Sequence, residues 1–272
     1  MDKEDNEKLG RESKLENNKE ELTGGRIGKI SRQDDVVIRP ANVWTPAVHR
    51  FLRFLHVDGA DFVPMPYGIN EQQQEIVSYM PGEVYNDPLP ELLLQDAVLV
   101  SAAELLARFH NHSAKYVARL EGNEPWMLPA QQPAEVMCHG DYAPYNVTIS
   151  GGQPVGIIDF DTLHPGPRMW DVAYAIYRWV PFTDPARSES AIGLEEQLRK
   201  ARLFLDAYGM DAAERQSFVP MLLRRLTSLI DYMQQEAAQG NEDFQQHIQA
   251  GHLQVYWDDM DYLREHEGQI KL

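Results

Sequence analysis

The stretch MCHGDYAPYNVTISGGQPVGIIDFD, from Met137 to Asp161, gathers His139, Asp141, Asn146, Asp159 and Asp161 around two runs of β-forming residues. Carboxylates beside apolar strands are costly unless something cationic meets them. Asn146 to Ser150 and Val155 to Asp159 alternate on either side of Gly151-Gly152-Gln153-Pro154, which signals a β-hairpin. With the turn centred between Gly152 and Gln153, paired positions sum to 305, and Asn146 falls opposite Asp159. Their Cβ atoms would then be roughly 5 Å apart. Asp141 sits in the loop leading into the hairpin. One carboxylate and one amide oxygen suit a hard cation such as Mg²⁺, which takes few protein ligands and keeps waters or phosphates. Asp141 is left to accept a proton from a hydroxyl. This division of labour matches phosphoryl transfer, in which the protein mainly positions groups and neutralises charge. Taken singly, Asp141 and Asn146 read as turn residues; the hairpin-spaced set reads as a site.

The elements that must hold this site divide the chain unevenly. Residues 1–21 are dense in charge and poor in aromatics, and read as a flexible tail. Residues 22–80 form a β-rich N-terminal lobe. A strand is expected from Leu22, a turn over Gly24-Gly25-Arg26-Ile27-Gly28, and a return strand from Lys29 to Gln33. Asp34-Asp35 turns into Val36-Val37-Ile38. Pro46 to Leu55 predicts a helix and Ile76 to Met80 a strand, which Pro81-Gly82 ends. Residues 81–272 are mostly helical. Leu94, Val98, Leu105 and Phe109 recur at helical spacing between Pro90 and His112. Leu222, Leu226, Leu229, Ile230 and Met233 repeat the pattern, with Pro220 near the helix start, and Ile248 to Leu263 predicts a last helix. These stripes read as core, as do Cys138, Trp170 and Trp179, and His139 reads as a hydrogen-bonded core histidine.

The whole chain has 272 residues and a net charge of −17. Eight acids and five bases in residues 1–21 contribute −3, leaving −14 on the body. This balance argues against nucleic acid as a partner. It serves solubility, and it favours cationic ligands over anionic ones. No apolar run is long enough to span a membrane, and the charged start is unlike a secretory signal. The only cysteine, Cys138, cannot form an internal disulfide, which fits a cytoplasmic protein.

His139-Gly140-Asp141, with Asn146 five residues after the aspartate, resembles the catalytic loop of protein kinases and their small-molecule relatives. Ile157-Ile158-Asp159-Phe160-Asp161 resembles the metal-binding segment that follows it. The glycine after the histidine and the IDFD run make the match closest to the aminoglycoside phosphotransferase and choline kinase-like family. GPRMWDVAYAIYRW, Gly166 to Trp179, is similar to that family's next segment. The resemblance implies an α+β, two-lobed protein kinase-like fold, with ATP or GTP as co-substrate and Mg²⁺. It implies that Asp141 is the catalytic base or at least orients the acceptor hydroxyl, that Asn146 and Asp159 hold Mg²⁺, and that Asp161 supports a second metal or binds substrate. Asp171 would brace the catalytic loop. Ser78 to Met80 would be the hinge that offers backbone groups to the purine.

TGGRIGKIS, from Thr23 to Ser31, nearly matches a Walker-A loop but has Thr23 for the first glycine and Ile30 for the hydroxyl residue. A glycine-rich hairpin over the phosphates, using Gly24, Gly25 and Gly28, fits better, because glycines allow close backbone approach. Relatives place a lysine on the third strand, paired with a helical glutamate. Here Arg39 occupies that strand and is not equivalent to lysine. The following helix, PAVHRFLRFL, offers His49 and no glutamate. The expected activity is transfer of the γ-phosphate to a hydroxyl of a small molecule, with a cationic, aminoglycoside-like acceptor favoured by charge. The departures at Arg39 and His49 motivate the alternative, a non-catalytic binding or immunity protein using the same cleft.

Overall fold

Ser31-Arg32-Gln33 and Val36-Val37-Ile38 flank Asp34-Asp35 and fold back on one another, and Asp34 takes a φ of 54° to close the turn. The computed structural model describes residues 19–22, 30–86, 88–187 and 192–272. The expected glycine-rich turn at Gly24, Gly25 and Gly28, and the charged segment through residue 18, lie outside the described residues. Strands β1 (Lys19–Glu21), β2 (Ser31–Gln33), β3 (Val36–Pro40), β4 (Pro66–Ile69) and β5 (Gln74–Ser78) form one antiparallel sheet in the order β1-β2-β3-β5-β4. The first strand thus ends where one was expected to begin at Leu22, and the end of the charged segment pairs with β2. Strand β4 had no β signal of its own, because Pro66 and Gly68 are poor strand formers.

Helix α1 (Thr45–Val57) starts at a proline in its first turn and buries Val48, Phe51, Leu52 and Leu55 on one face. It leans on α2 (Asp96–Val117), where Phe51 meets Phe109 edge-on with ring centroids 6.0 Å apart. One apolar core therefore runs from the sheet lobe into the helical lobe. The helix expected from Pro90 begins later, at Asp96, because Gln95 is extended and follows a 3₁₀ turn over Glu91–Leu94.

The helical lobe carries β6 (Val136–Cys138), β7 (Val147–Ser150), β8 (Gln153–Ile157) and β9 (His164–Gly166), then α3 (Arg168–Trp179), α4 (Leu194–Tyr208), α5 (Ala212–Arg215), α6 (Phe218–Ala238), α7 (Glu242–Gln249) and α8 (His252–His266). The expected last helix is two, since Gly251 takes a φ of 86° between α7 and α8. Strands β7 and β8 form the expected hairpin in a different register. Gly151 and Gly152 both take positive φ, which makes them a two-residue turn and leaves Gln153 and Pro154 in the strand. Paired positions sum to 303 at the turn and 304 past a bulge, not 305. Asn146 therefore faces Ile158, whose N–H donates to the Asn146 carbonyl at 2.9 Å, and does not face Asp159.

Strands β6 and β9 pair with Cys138 opposite His164. Burial pushes the Cys138 thiol well up, so it behaves as a small apolar residue. Trp170 and Trp179 are each 2 % exposed and serve packing. His164 donates Nδ1–H to the Thr162 carbonyl at 2.7 Å, while its Nε2 is buried with no partner. Burial lowers the pKa of His164 to about 4. Between that value and the ordinary 6.5, the unfolded chain binds a proton that the folded chain refuses. Stability is therefore expected to fall as pH drops from 6.5 towards 4, by on the order of 3 kcal/mol from this residue alone. Denaturant unfolding across that range checks it, with His164→Gln expected to flatten the slope.

Candidate active site

Strand β6 delivers the chain to His139 and Gly140, and Gly140 turns it with a φ of 84°. A Cβ there would lie 2.5 Å from the Thr162 carbonyl, so only glycine lets the loop pass this close to the β8–β9 connection. Four contacts then fix the loop. His139 Nε2 donates to the Ile158 carbonyl at 2.9 Å, and His139 Nδ1 accepts from Asp141 N at 3.2 Å. Thr162 Oγ1 donates to the His139 carbonyl, and Arg225 of α6, only 2 % exposed, donates to the Gly140 carbonyl at 2.6 Å. His139 is thus the hydrogen-bonded core residue expected from the sequence.

Asp171, in the first turn of α3, braces the same loop. It is fully buried and accepts from His139 N at 2.6 Å, Gly140 N at 2.9 Å and His110 Nε2 at 3.0 Å. Burial raises its pKa, but the hydrogen bonds from His110 and the Gly140 amide outweigh that and hold it at about 2. Burial lowers the pKa of His110 despite Asp171, so the neutral ring donates from Nε2 and accepts from the Tyr208 hydroxyl at Nδ1.

The loop presents Asp141 with both carboxylate oxygens engaged. Asn146 Nδ2 donates to Oδ2 at 3.0 Å and also to the Asp141 carbonyl, and the Tyr145 hydroxyl donates to Oδ1 at 2.7 Å. Burial, with the Asp141 charge, pushes the Tyr145 phenol well up, so it remains protonated.

Across the cleft, Asp159 leaves β8 in the left-handed region, at φ 60° and ψ 72°. This turn, unusual for a residue with a Cβ, takes its side chain off the hairpin ladder. Arg39 meets it there. The guanidinium reaches Asp159 Oδ1 at 2.6 Å, Asp161 Oδ1 at 3.2 Å and the Glu75 carboxylate through Nε. Burial opposes the charge on Arg39, but Asp159, Asp161 and Glu75 together raise its pKa. Trp44 Nε1 also donates to Asp161 at 3.1 Å. Burial, opposed by Arg39 and reinforced by the charge on Asp159, raises the Asp161 pKa. Asp161, expected at a second metal or at substrate, is thus taken up by Arg39 and Trp44.

The acid missing from the helix comes from the sheet. Glu75, 2 % exposed, is the register partner of Arg39 and holds the His49 ring nitrogen Nε2 at 2.9 Å. Sequence reading missed Glu75, Trp44 and Arg225, which strand register and side-chain packing bring in, and Tyr145, which sits inside the loop motif at a position the motif does not mark.

A cavity of about 230 Å³ opens between the lobes. Val37, Val48, Leu52 and Val77 wall it on one side, and Ile158 and Phe160 on the other. Arg39, Ser78, Met80, Asn146 and Asp159 all line it, so the structure brings these sequence candidates together. Tyr79 N is committed to the Asp35 carbonyl and Ser78 N to that of Met65. Of Ser78, Tyr79 and Met80, Met80 is then the one whose N–H meets no protein acceptor among the described residues. Asn146 and Asp159 offer an amide oxygen and a carboxylate to one cavity, the donor set that would suit a hard cation such as Mg²⁺ with waters and phosphates as its remaining ligands. Among the described residues no three or more His, Cys, Asp or Glu side chains form a metal cluster.

A β-rich lobe and a helical lobe closing on this cleft define an α+β, two-lobed protein kinase-like fold. Over residues 117–208 the chain matches the model of the phosphotransferase enzyme family, in agreement with the sequence resemblance. It is 27% identical over 213 residues to the trifolitoxin immunity protein of Rhizobium leguminosarum bv. trifolii, covering 74% of this chain and 78% of that one. A choline/ethanolamine kinase family protein from Mesorhizobium loti superposes with a TM-score of 0.59 at 14% identity, over 95% of this chain and 99% of that one. An amicoumacin kinase solved in complex with AMP-PNP, Ca²⁺ and Ami superposes with a TM-score of 0.61 at 11% identity, over 90% and 93%. At these identities the structural likenesses speak for the fold. No helix among the described residues is long and apolar enough to cross a membrane.

Proposed function

We propose that the protein transfers the γ-phosphate of ATP or GTP to a hydroxyl of a small molecule. The observation that carries this is that Asn146 and Asp159 line one cavity while Asn146 holds the Asp141 carboxylate beside it, on a loop braced by Asp171. Asp141 is positioned to take the acceptor's proton. The cavity seats the base between the apolar walls, beside Met80, whose N–H has no protein acceptor among the described residues. Arg39 supplies positive charge for phosphate oxygens, and Glu75 and His49 hold it in place. Asn146 and Asp159 would hold Mg²⁺, which when bound neutralises phosphate charge. The complex of the amicoumacin kinase with AMP-PNP and Ca²⁺ supports a nucleotide and a divalent cation in this fold.

The acceptor is a small molecule bearing a hydroxyl. Net charge favours a cationic, aminoglycoside-like one. Arg178, whose guanidinium lies 5.2 Å over the Tyr145 ring, puts a positive charge one residue away from Asp141 and weighs against a cation close to the base. A cytoplasmic location remains the reading of the single buried cysteine.

Two observations favour a second reading, a non-catalytic binding or immunity protein. Arg39 already neutralises Asp159, the carboxylate a metal would need, and a relative is named an immunity protein. Substitution separates the two. Asp141→Asn is expected to abolish transfer while leaving nucleotide affinity within about three-fold, since the base contributes to chemistry and not to binding. Isotope transfer from labelled nucleotide to a panel of hydroxyl compounds reads it. Full transfer by this variant would remove Asp141 from the chemistry.

A further inference from the structure

We infer that Tyr145 is a positioning residue for Asp141, fixing the orientation in which that carboxylate meets the acceptor hydroxyl; the inference rests on the phosphotransferase function proposed above. The Tyr145 hydroxyl donates to Asp141 Oδ1 at 2.7 Å, and Asn146 Nδ2 donates to Oδ2 at 3.0 Å. The terminal torsion of an aspartate is broad when nothing holds it. One donor on each oxygen sets the plane of the carboxylate. A carboxylate has about four lone-pair positions, so each oxygen keeps one for an incoming hydroxyl.

The local fold explains why the tyrosine is where it is. The 3₁₀ turn Pro144–Asn146 brings the chain back over Asp141, four residues after it. Arg178 of α3 covers the Tyr145 ring at 5.2 Å, a contact that orients the phenol towards the loop. Tyr145 also lines the cavity between the lobes, so its hydroxyl lies at the junction of cavity and base. Packing alone would need only the ring. The hydroxyl is spent on the carboxylate placed to take a proton, and a hydrogen bond to an ionised acceptor is among the stronger kinds.

Tyr145→Phe removes the donor and keeps the ring with its Arg178 contact. The test uses the full chain with ATP or GTP and Mg²⁺, and takes water as the acceptor. Nucleotide hydrolysis gives kcat and KM, and thermal unfolding is followed in parallel. The expected result is a kcat lower by about ten-fold, the loss of one charge-assisted hydrogen bond, with KM within about two-fold and unfolding still cooperative. An unchanged kcat in the variant, beside an active wild type, overturns the role of Tyr145 and leaves the phosphotransferase function standing. A fall in kcat matched by a rise in KM assigns Tyr145 to the cavity wall and also overturns it. A wild type that neither binds nor hydrolyses nucleotide overturns the function and this inference together.

Discussion

Replacing Glu75 by alanine is expected to lower the stability of the protein by about 3–5 kcal/mol, the usual cost of removing one partner of a buried ion pair. Glu75 is 2 % exposed and joins two cationic or donor groups, Arg39 from the neighbouring strand and His49 from α1. Without it, Arg39 keeps only Asp159 and Asp161 across the cleft, and the His49 ring nitrogen loses its acceptor. In a chain of this size each kcal/mol moves the midpoint by roughly 2–4 °C, so a drop of about 10 °C in Tm is expected. Glu75→Gln keeps the shape and an acceptor oxygen, and should lose less than half as much. Thermal unfolding of both variants reads the difference. Equal midpoints for Glu75→Ala and the wild type would mean that Arg39 and His49 do not depend on Glu75. Nucleotide affinity should fall as well, since Arg39 would be free to lean fully onto the carboxylates opposite.

Asp171→Asn is the second change with a large expected effect, and it separates architecture from chemistry. The carboxylate accepts three hydrogen bonds from His139 N, Gly140 N and His110 Nε2. An amide can accept on one side only and would set its own N–H groups against a donor. The loss is expected to be about 3 kcal/mol, since a buried donor is left without an acceptor and a charge-assisted bond is removed. Transfer should fall by about 100-fold, because the loop that carries Asp141 shifts, and small misplacements of a reacting group are costly. Nucleotide affinity should change little, as Asp171 does not line the cavity. Thermal unfolding together with transfer kinetics checks this. Wild-type turnover in a destabilised Asp171→Asn would confine the residue to folding. The same carboxylate gives a pH signature. Its pKa is held at about 2, below the ordinary 3.8, so its stabilisation is complete above 3.8 and is lost as pH falls towards 2. The His164 effect, by contrast, is spent between 6.5 and 4.

What could be seen in the sequence was local. Asp141 and Asn146 are five residues apart, and their loop needs no long-range contact to bring them together. Asp171 was legible as a brace only through the resemblance of Gly166 to Trp179 to the next segment of the phosphotransferase family. The hairpin itself was legible, but its register was not. Two glycines that both accept positive φ made the turn one residue earlier than a turn that included Pro154, and this moved Asp159 from the ladder to the cleft. Glu75 was hidden for a different cause. It is 36 positions from Arg39, inside a polar run, and only the β3–β5 register sets the two side by side. Strand β4, which completes that sheet, carries a proline and a glycine and gave no alternating pattern. Trp44 reaches the site from just before α1 and Arg225 from within α6, and the apolar stripes of those helices say nothing of such polar ends.

The most direct test of a nucleotide- and metal-dependent cleft is calorimetric titration of the full chain with ATP and with GTP, each with and without Mg²⁺. Asp159→Ala is the paired control. Binding that depends on Mg²⁺ and disappears in Asp159→Ala is the predicted result. No binding of either nucleotide by the wild type, or binding to Asp159→Ala that is as tight and as metal-dependent as before, would contradict it.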